Sequence, residues 1–248
     1  MKKSSKVGNL IGGLISMGIA GVGFLGGAFV TISNINKYGP ATTTSQLQNV
    51  MLPVLCVTAV FLLIGFAALW GAYSNWKKAA VLYQEGLGYS DNKGVRSLRW
   101  EQIAGMTSAV TKHYRNGIYT GTTHIYTLWD REGSKIVLND VFPKVEELAN
   151  IIREKIFPYL YKSAADRYNA GQIVQFGPVS ISKSEGITLQ KKSYKWDEVS
   201  QVNVQQGLLK VAKKGGGWFS GTNLAISTIP NYEVLLSIIN QVVGVKAG

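Results

Sequence analysis

Two stretches without a charged side chain, residues 7–36 and 38–76, are separated only by Lys37 and fill most of the first third of the chain. A bilayer core takes about 20 predominantly apolar residues in helical form, because each backbone N–H and C=O has to be satisfied inside the crossing segment. Each stretch contains such a run: GNLIGGLISMGIAGVGFLGGAFVTI at 8–32 and VMLPVLCVTAVFLLIGFAALWGAY at 50–73. The expectation is a membrane α-helical hairpin. It has a basic tail at 1–6, transmembrane helices over 7–32 and 50–73, and an external loop at 33–49.

Charge sets the expected topology. Lys2, Lys3 and Lys6 precede the first helix and Lys77 and Lys78 follow the second, whereas the intervening loop carries Lys37 alone. Loops left in the cytoplasm are enriched in Lys and Arg, so both termini are expected in the cytoplasm of a cell-membrane protein that crosses the bilayer twice. A cleavable signal peptide is the rival reading of the N-terminus, but its apolar core is usually about 7–15 residues, and this run continues to Ile32. The single cysteine, Cys56, lies in the second run, as suits a compartment where disulfides are not formed. Gly12, Ser16 and Ala20, then Gly23 and Gly27, recur at four-residue spacing. Small residues so spaced let helices approach closely. They predict packing within the hairpin against Ala67 and Gly71, with homo-oligomer formation through this glycine-rich helix as the alternative. Neither run holds an Asp, Glu, His, Lys or Arg, which argues against a proton relay or an ion path.

Of the 26 basic residues 22 follow Trp76, as do all 14 acidic ones, an excess of 8 on a polar-patterned region. Short β-like segments dominate from Ala79, broken by turn signals such as Asn116-Gly117, a strong hairpin signal. That turn pairs Tyr114 with Tyr119 and His113 with Thr120. Helical spacing then places Val145, Leu148, Ile151, Ile152, Ile156 and Leu160 on one stripe, and Pro158 is expected to kink or divide the helix. A second β series ends in another helix, with Asn231 as N-cap and Val234, Leu235, Ile238, Ile239 and Val242 buried. The two series are alike. Glu85-Gly86-Leu87 leads to Arg99-Trp100-Glu101-Gln102-Ile103, as Glu185-Gly186-Ile187 leads to Lys195-Trp196-Asp197-Glu198-Val199. The pattern predicts α+β architecture in tandem, 79–169 and 170–244, each a bent antiparallel sheet covered by a C-terminal helix, as in pleckstrin-homology (PH) like domains.

Tyr83-Gln84-Glu85-Gly86-Leu87, Leu98-Arg99-Trp100-Glu101-Gln102-Ile103, the run from His113-Tyr114-Arg115-Asn116-Gly117 through Ile118-Tyr119-Thr120-Gly121-Thr122-Thr123-His124, and Phe176-Gly177-Pro178 together resemble an uncharacterised family of bacterial membrane proteins with PH-like domains. The resemblance covers roughly residues 81–231. It implies the fold and brings no catalytic residue and no ligand.

Chemistry is sparse. His113 and His124 lack the further ligands a metal centre needs, and no GxSxG, HExxH, Walker A or GxGxxG sequence occurs. No catalytic, cofactor or metal residue is therefore expected. Trp100 and Trp196 are read as matching core anchors of the two copies. Lys213-Lys214-Gly215-Gly216-Gly217, with Ser220 and Thr222 beyond, is the nearest approach to an anion-binding loop, against an ordinary turn with solvated lysines. An anionic leaflet accounts for the positive charge better than nucleic acid does, since each basic residue near such a surface gains about 1 kcal/mol. Lys77, Lys78, Lys191, Lys192, Lys213 and Lys214 are the candidate contacts to anionic lipid or phosphate. The expected function is a non-enzymatic membrane protein that binds the inner leaflet or a protein partner. A peptide-binding adaptor without a lipid role is the alternative, and an enzyme with an unrecognised site the third.

Overall fold

The computed structural model describes residues 5–215 and 221–247. Their backbone falls into two compact units, the first drawn from Met1–Ala79 with Ser90–Gly94 and Val141–Pro143, the second from Ala80–Tyr89, Val95–Asp140 and Lys144–Gly248.

The first unit is the helical hairpin. Helix α1 spans Ser5–Tyr38 and α3 spans Leu52–Trp76. The segment read as an external loop is mostly helical: α1 continues to Tyr38, and α2, Thr43–Gln46, passes through a π-turn, Leu47–Met51, straight into α3. Polar side chains alone do not stop a helix. The break comes at Gly39, whose φ of 86° is left-handed, followed by Pro40. Both candidate spans are long and apolar enough to cross a membrane, and only 17% and 6% of their most apolar windows are buried, unlike the core helix of a soluble protein.

The helices meet along Gly13, Ser16, Ala20, Gly27 and Thr31 on one side, with Gly65 and Ala72 on the other, all buried. An added Cβ would lie 2.8 Å from the Leu69 side chain at Gly13, 2.7 Å from Val54 at Gly27, and 2.8 Å from Met17 at Gly65. The Ser16 hydroxyl donates across the seam to the Phe61 carbonyl at 2.8 Å. This corrects the expected stripe. Ser16, Ala20 and Gly27 belong to it, but Gly12 and Gly23 have nothing within 4 Å of an added Cβ, and Ala67 is exposed. Four-residue spacing drifts around a helix of 3.6 residues per turn, so bulky neighbours across the seam choose the face. Gly71 is half-buried beside Asn9.

The second unit holds most of the repeated part. Strands β1 (Ala79–Leu82), β2 (Gly86–Asp91) and β3 (Gly94–Arg99) form one sheet, and β4 (Ile103–Arg115), β5 (Ile118–Asp130) and β6 (Lys135–Asn139) another, before α4 at Val145–Asn169. The second series gives a sheet of β7 (Val174–Phe176), β8 (Val179–Ser182), β9 (Gly186–Leu189) and β10 (Lys192–Tyr194). A further sheet, in the order β13-β12-β11-β14, is built from β11 (Val199–Gln205), β12 (Leu208–Lys213), β13 (Thr222–Ala225) and β14 (Val245–Ala247). Helix α5, Tyr232–Val242, precedes β14, which pairs parallel to β11; the other pairings described are antiparallel.

Equivalent positions carry equivalent work. Trp100 Nε1 donates to the Gln84 carbonyl at 2.9 Å and Trp196 Nε1 to that of Ser182 at 2.8 Å, each just upstream of its glycine. A Cβ on Gly86 would lie 2.2 Å from the Leu98 oxygen, and one on Gly186 2.1 Å from the Tyr194 oxygen, in both copies the carbonyl two residues before the tryptophan. Lys144 and Asn231 begin α4 and α5 with left-handed φ of 53° and 51°, each just after a proline.

The copies are fused rather than strung together. Val145, Ala149, Ile152 and Ile156 bury the first half of α4, while Ala164 and Tyr168 from its second half join the core of the second copy, with Phe157, Leu160 and Tyr161 packed against it. Helix α4 is not divided at Pro158. The proline is exposed, as is Glu154, whose carbonyl loses its helical partner there, so water can satisfy that group. Ile151 and Val242, expected in the core, are 42% and 38% exposed, and Leu148 and Leu160 are half-buried. In the hairpin of β4 and β5, Tyr114 pairs with Tyr119 as the turn predicts, but a bulge moves His113 opposite Gly121 instead of Thr120.

Candidate functional site

The six candidate lysines stand at three places along the fold. Lys77 is exposed and Lys78 half-buried at the end of α3, in the first unit. In the second, Lys191 and Lys192 are exposed where β9 turns into β10. Lys213 and Lys214 are exposed at the end of β12, where Lys213 Nζ pairs with Glu198 at 2.9 Å. That bond holds the Glu198 carboxyl below its usual range and occupies the Lys213 ammonium. Gly216, Gly217 and Ser220 of the anticipated loop lie outside the described residues, as do Lys2 and Lys3. Trp100 is 4% exposed, whereas Trp196 is half-buried against the second core, so the two anchors match in position and hydrogen bonding but not in depth.

Lys6 brings the basic flanks of the hairpin together. Its ammonium donates to the main-chain carbonyls of Trp76, at 3.4 Å, and Lys78. Lys6, Lys77 and Lys78 thus share one end of the hairpin. The groove between α1 and α3, lined by Ile19, Gly23, Val54, Val57 and Phe61 among others, contains no ionisable side chain.

A polar cluster joins the two copies. Arg153 Nε meets Glu233 at 2.9 Å, and Arg153 Nη2 donates to Ser108 at 2.9 Å. Asn231 is the N-cap residue of α5, as its position after Pro230 predicts, but its side chain does not cap that helix. It reaches back to β4 instead, accepting from Met106 N–H at 2.9 Å and donating to the Ala104 carbonyl, while Asn231 N–H donates to the Met106 carbonyl. Burial pushes the Glu233 carboxyl up, with Arg153 opposing it. Nearby, His124 Nδ1 lies 2.8 Å from Asp140 and Nε2 3.8 Å from Glu146, while His113 bonds with Thr123 at 2.7 Å. The two histidines serve different neighbours. Among the described residues no three His, Cys, Asp or Glu side chains gather as metal ligands. Through the bonds of Arg153 and Asn231 the cluster clamps β4, α4 and α5 together.

Its titration provides a test. Burial, then the neighbouring Glu233 carboxylate, pushes the Tyr232 phenol up to about 12. An unfolded chain releases that proton near pH 10, so the folded state binds the proton more tightly and stability falls as pH rises from about 10 through about 12. Tyr126 and Tyr168 shift in the same direction through burial. Tyr232→Phe is expected to flatten part of this alkaline loss, measured by denaturant unfolding across that window. An unchanged slope would show that Tyr232 does not carry it.

One feature of the sequence marks both ends of this clamp. Pro143-Lys144-Val145-Glu146 and Pro230-Asn231-Tyr232-Glu233 are the same helix entry in both copies. The partner of Asn231, 125 residues away at Met106, has no local signature.

The profile of a family of unknown function, DUF6585, matches residues 2–246. The chain belongs to this family. No curated protein matches it. Membership therefore extends over hairpin and β-rich region alike, and assigns neither chemistry nor a ligand.

Proposed function

We propose that the chain is an integral membrane protein without catalytic function, whose helical hairpin crosses the cell membrane twice and whose fused β-rich body binds the inner leaflet or a partner held there. The observation that carries this reading is the exposure of the hairpin's large apolar side chains, among them Val22 and Phe29 at 74% and Leu63 at 70%. Leaving such side chains in water forfeits about 1.5–3 kcal/mol each, a cost that lipid removes. The convergence of Lys6, Lys77 and Lys78 at one end of the hairpin supports a cytoplasmic location for that end. Two successive sets of small sheets, each followed by a helix, support the PH-like reading, and the second set, a four-stranded sheet before β11 to β13 and α5, fits it best.

Cysteine labelling tests the topology. With Cys56 replaced, Thr43→Cys is expected to react with an impermeant maleimide in whole cells and Ser184→Cys only after permeabilisation. The reverse pattern would put the β-rich body outside and remove the inner-leaflet reading.

A further inference from the structure

Strand β6 pairs with β5 only over Ile125 to Trp129, but β4 and β5 stay paired out to Arg115 and Ile118. The outer part of this hairpin, residues 110–123, is a two-stranded ribbon with no further strand paired to it among the described residues. Such a ribbon is marginal alone. It is braced by an edge-on contact of the Tyr114 and Tyr119 rings, with centroids 5.9 Å apart, and by a 2.6 Å bond between the Tyr119 and Thr122 hydroxyls.

The ribbon nevertheless leaves large side chains open: Val110 is 51% exposed, Tyr114 62%, Ile118 71% and Tyr119 55%. Lys112 shares the face of Tyr114, and Arg115 lies opposite Ile118. No Asp or Glu occurs from Gln102 to Trp129. Tyrosines with apolar neighbours are favoured at headgroup depth, and lysine and arginine are drawn to anionic lipid. A protein strand adding to the ribbon's edge is disfavoured by Lys112 and by the bulge at Thr120–Gly121, devices that turn edges away from pairing.

We propose that the tip of the β4–β5 ribbon docks on an anionic bilayer surface, with Tyr114, Ile118 and Tyr119 at headgroup depth and Lys112 and Arg115 on lipid phosphates. This rests on the reading of the chain as a membrane-anchored binding module and specifies the contact, moving it from the lysine loops of the second copy to the hairpin of the first.

The test uses the full chain, with Cys56 replaced, in nanodiscs of phosphatidylcholine with or without phosphatidylglycerol, both containing a nitroxide-bearing lipid as quencher. A fluorophore on Asn116→Cys reports the ribbon, and one on Ser193→Cys reports the loop of Lys191 and Lys192. Quenching at Asn116→Cys in the anionic discs is expected, and little in the neutral ones. Lys112→Gln with Arg115→Gln should reduce the ratio of docked to free ribbon about thirtyfold, roughly 2 kcal/mol for two charges. Both side chains are exposed, so thermal unfolding of that variant should match the parent. Quenching at Ser193→Cys with none at Asn116→Cys overturns the ribbon and keeps the inner-leaflet reading; quenching at neither site overturns both. Quenching at Asn116→Cys that ignores lipid charge or the double substitution, or burial of that site only when a soluble protein fraction is added, overturns the anionic-lipid assignment.

Discussion

Alanine at Gly186 is expected to cost at least about 4 kcal/mol, enough to unfold much of the β-rich body. The new Cβ would lie 2.1 Å from the Tyr194 oxygen and 2.8 Å from Lys195 Cα, both backbone atoms of the adjoining strand end, at a φ of +85°. A flexible side chain could swing away, whereas these atoms move only if the strand moves. Gly86→Ala meets the Leu98 oxygen at 2.2 Å and should behave similarly. Gly207→Ala is the control. Its φ is +76° but an added Cβ meets nothing within 4 Å, so it should cost only the left-handed penalty of about 1–2 kcal/mol. Thermal unfolding of the detergent-solubilised chain, followed by its strand signal, separates the cases. Equal melting of Gly186→Ala and Gly207→Ala would mean that the close approach does not hold the copy together.

Trp100→Ala should be the most damaging side-chain truncation, at about 3–5 kcal/mol. The ring is 4% exposed and its N–H bond to Gln84 ties the bend between β1 and β2 to the turn that opens β4. Trp196→Ala removes the equivalent bond to Ser182, but from a half-buried ring, so a smaller loss is expected. Trp100→Phe keeps most of the apolar area and leaves the Gln84 carbonyl without its donor, which should cost about 1–3 kcal/mol. Comparable losses for the two alanine variants would contradict the difference in burial.

The repeat was legible because its two devices need particular residues: a glycine where backbone approaches backbone, and an indole that fills a core while donating one hydrogen bond. Those demands put Gly86 and Gly186, then Trp100 and Trp196, into matching places that survive the divergence of everything between them. Two apolar helices were equally plain from the charge-free runs. The face they share was not, because glycine, serine and alanine stand on several sides of α1. Only Leu69 and Val54 across the seam select Gly13 and Gly27 over Gly12 and Gly23, as Met17 of α1 selects Gly65 of α3.

Charge counted along the chain does not show which cations have partners. Lys213 looks like a free cation in sequence, yet it is paired with Glu198, brought close by the pairing of β11 and β12. The tip of the β4–β5 hairpin looks like ordinary strand sequence, because nothing in the alternation of Thr111 to His124 says that β6 stops short of it.

By itself the sequence determined the elements: two long apolar helices, strand runs with their Asn-Gly turn, two amphipathic helices and the duplication that relates them. These follow from local periodicity and from residues with narrow backbone or packing requirements. The tertiary structure alone decided that the copies form one body. A single stripe on α4 serves the first core through Ile152 and the second through Ala164 and Tyr168, and Asn231 bonds to a strand 125 residues earlier. Periodicity records that a face is buried but not against what, and a hydrogen bond across that distance leaves no mark in the residues beside it.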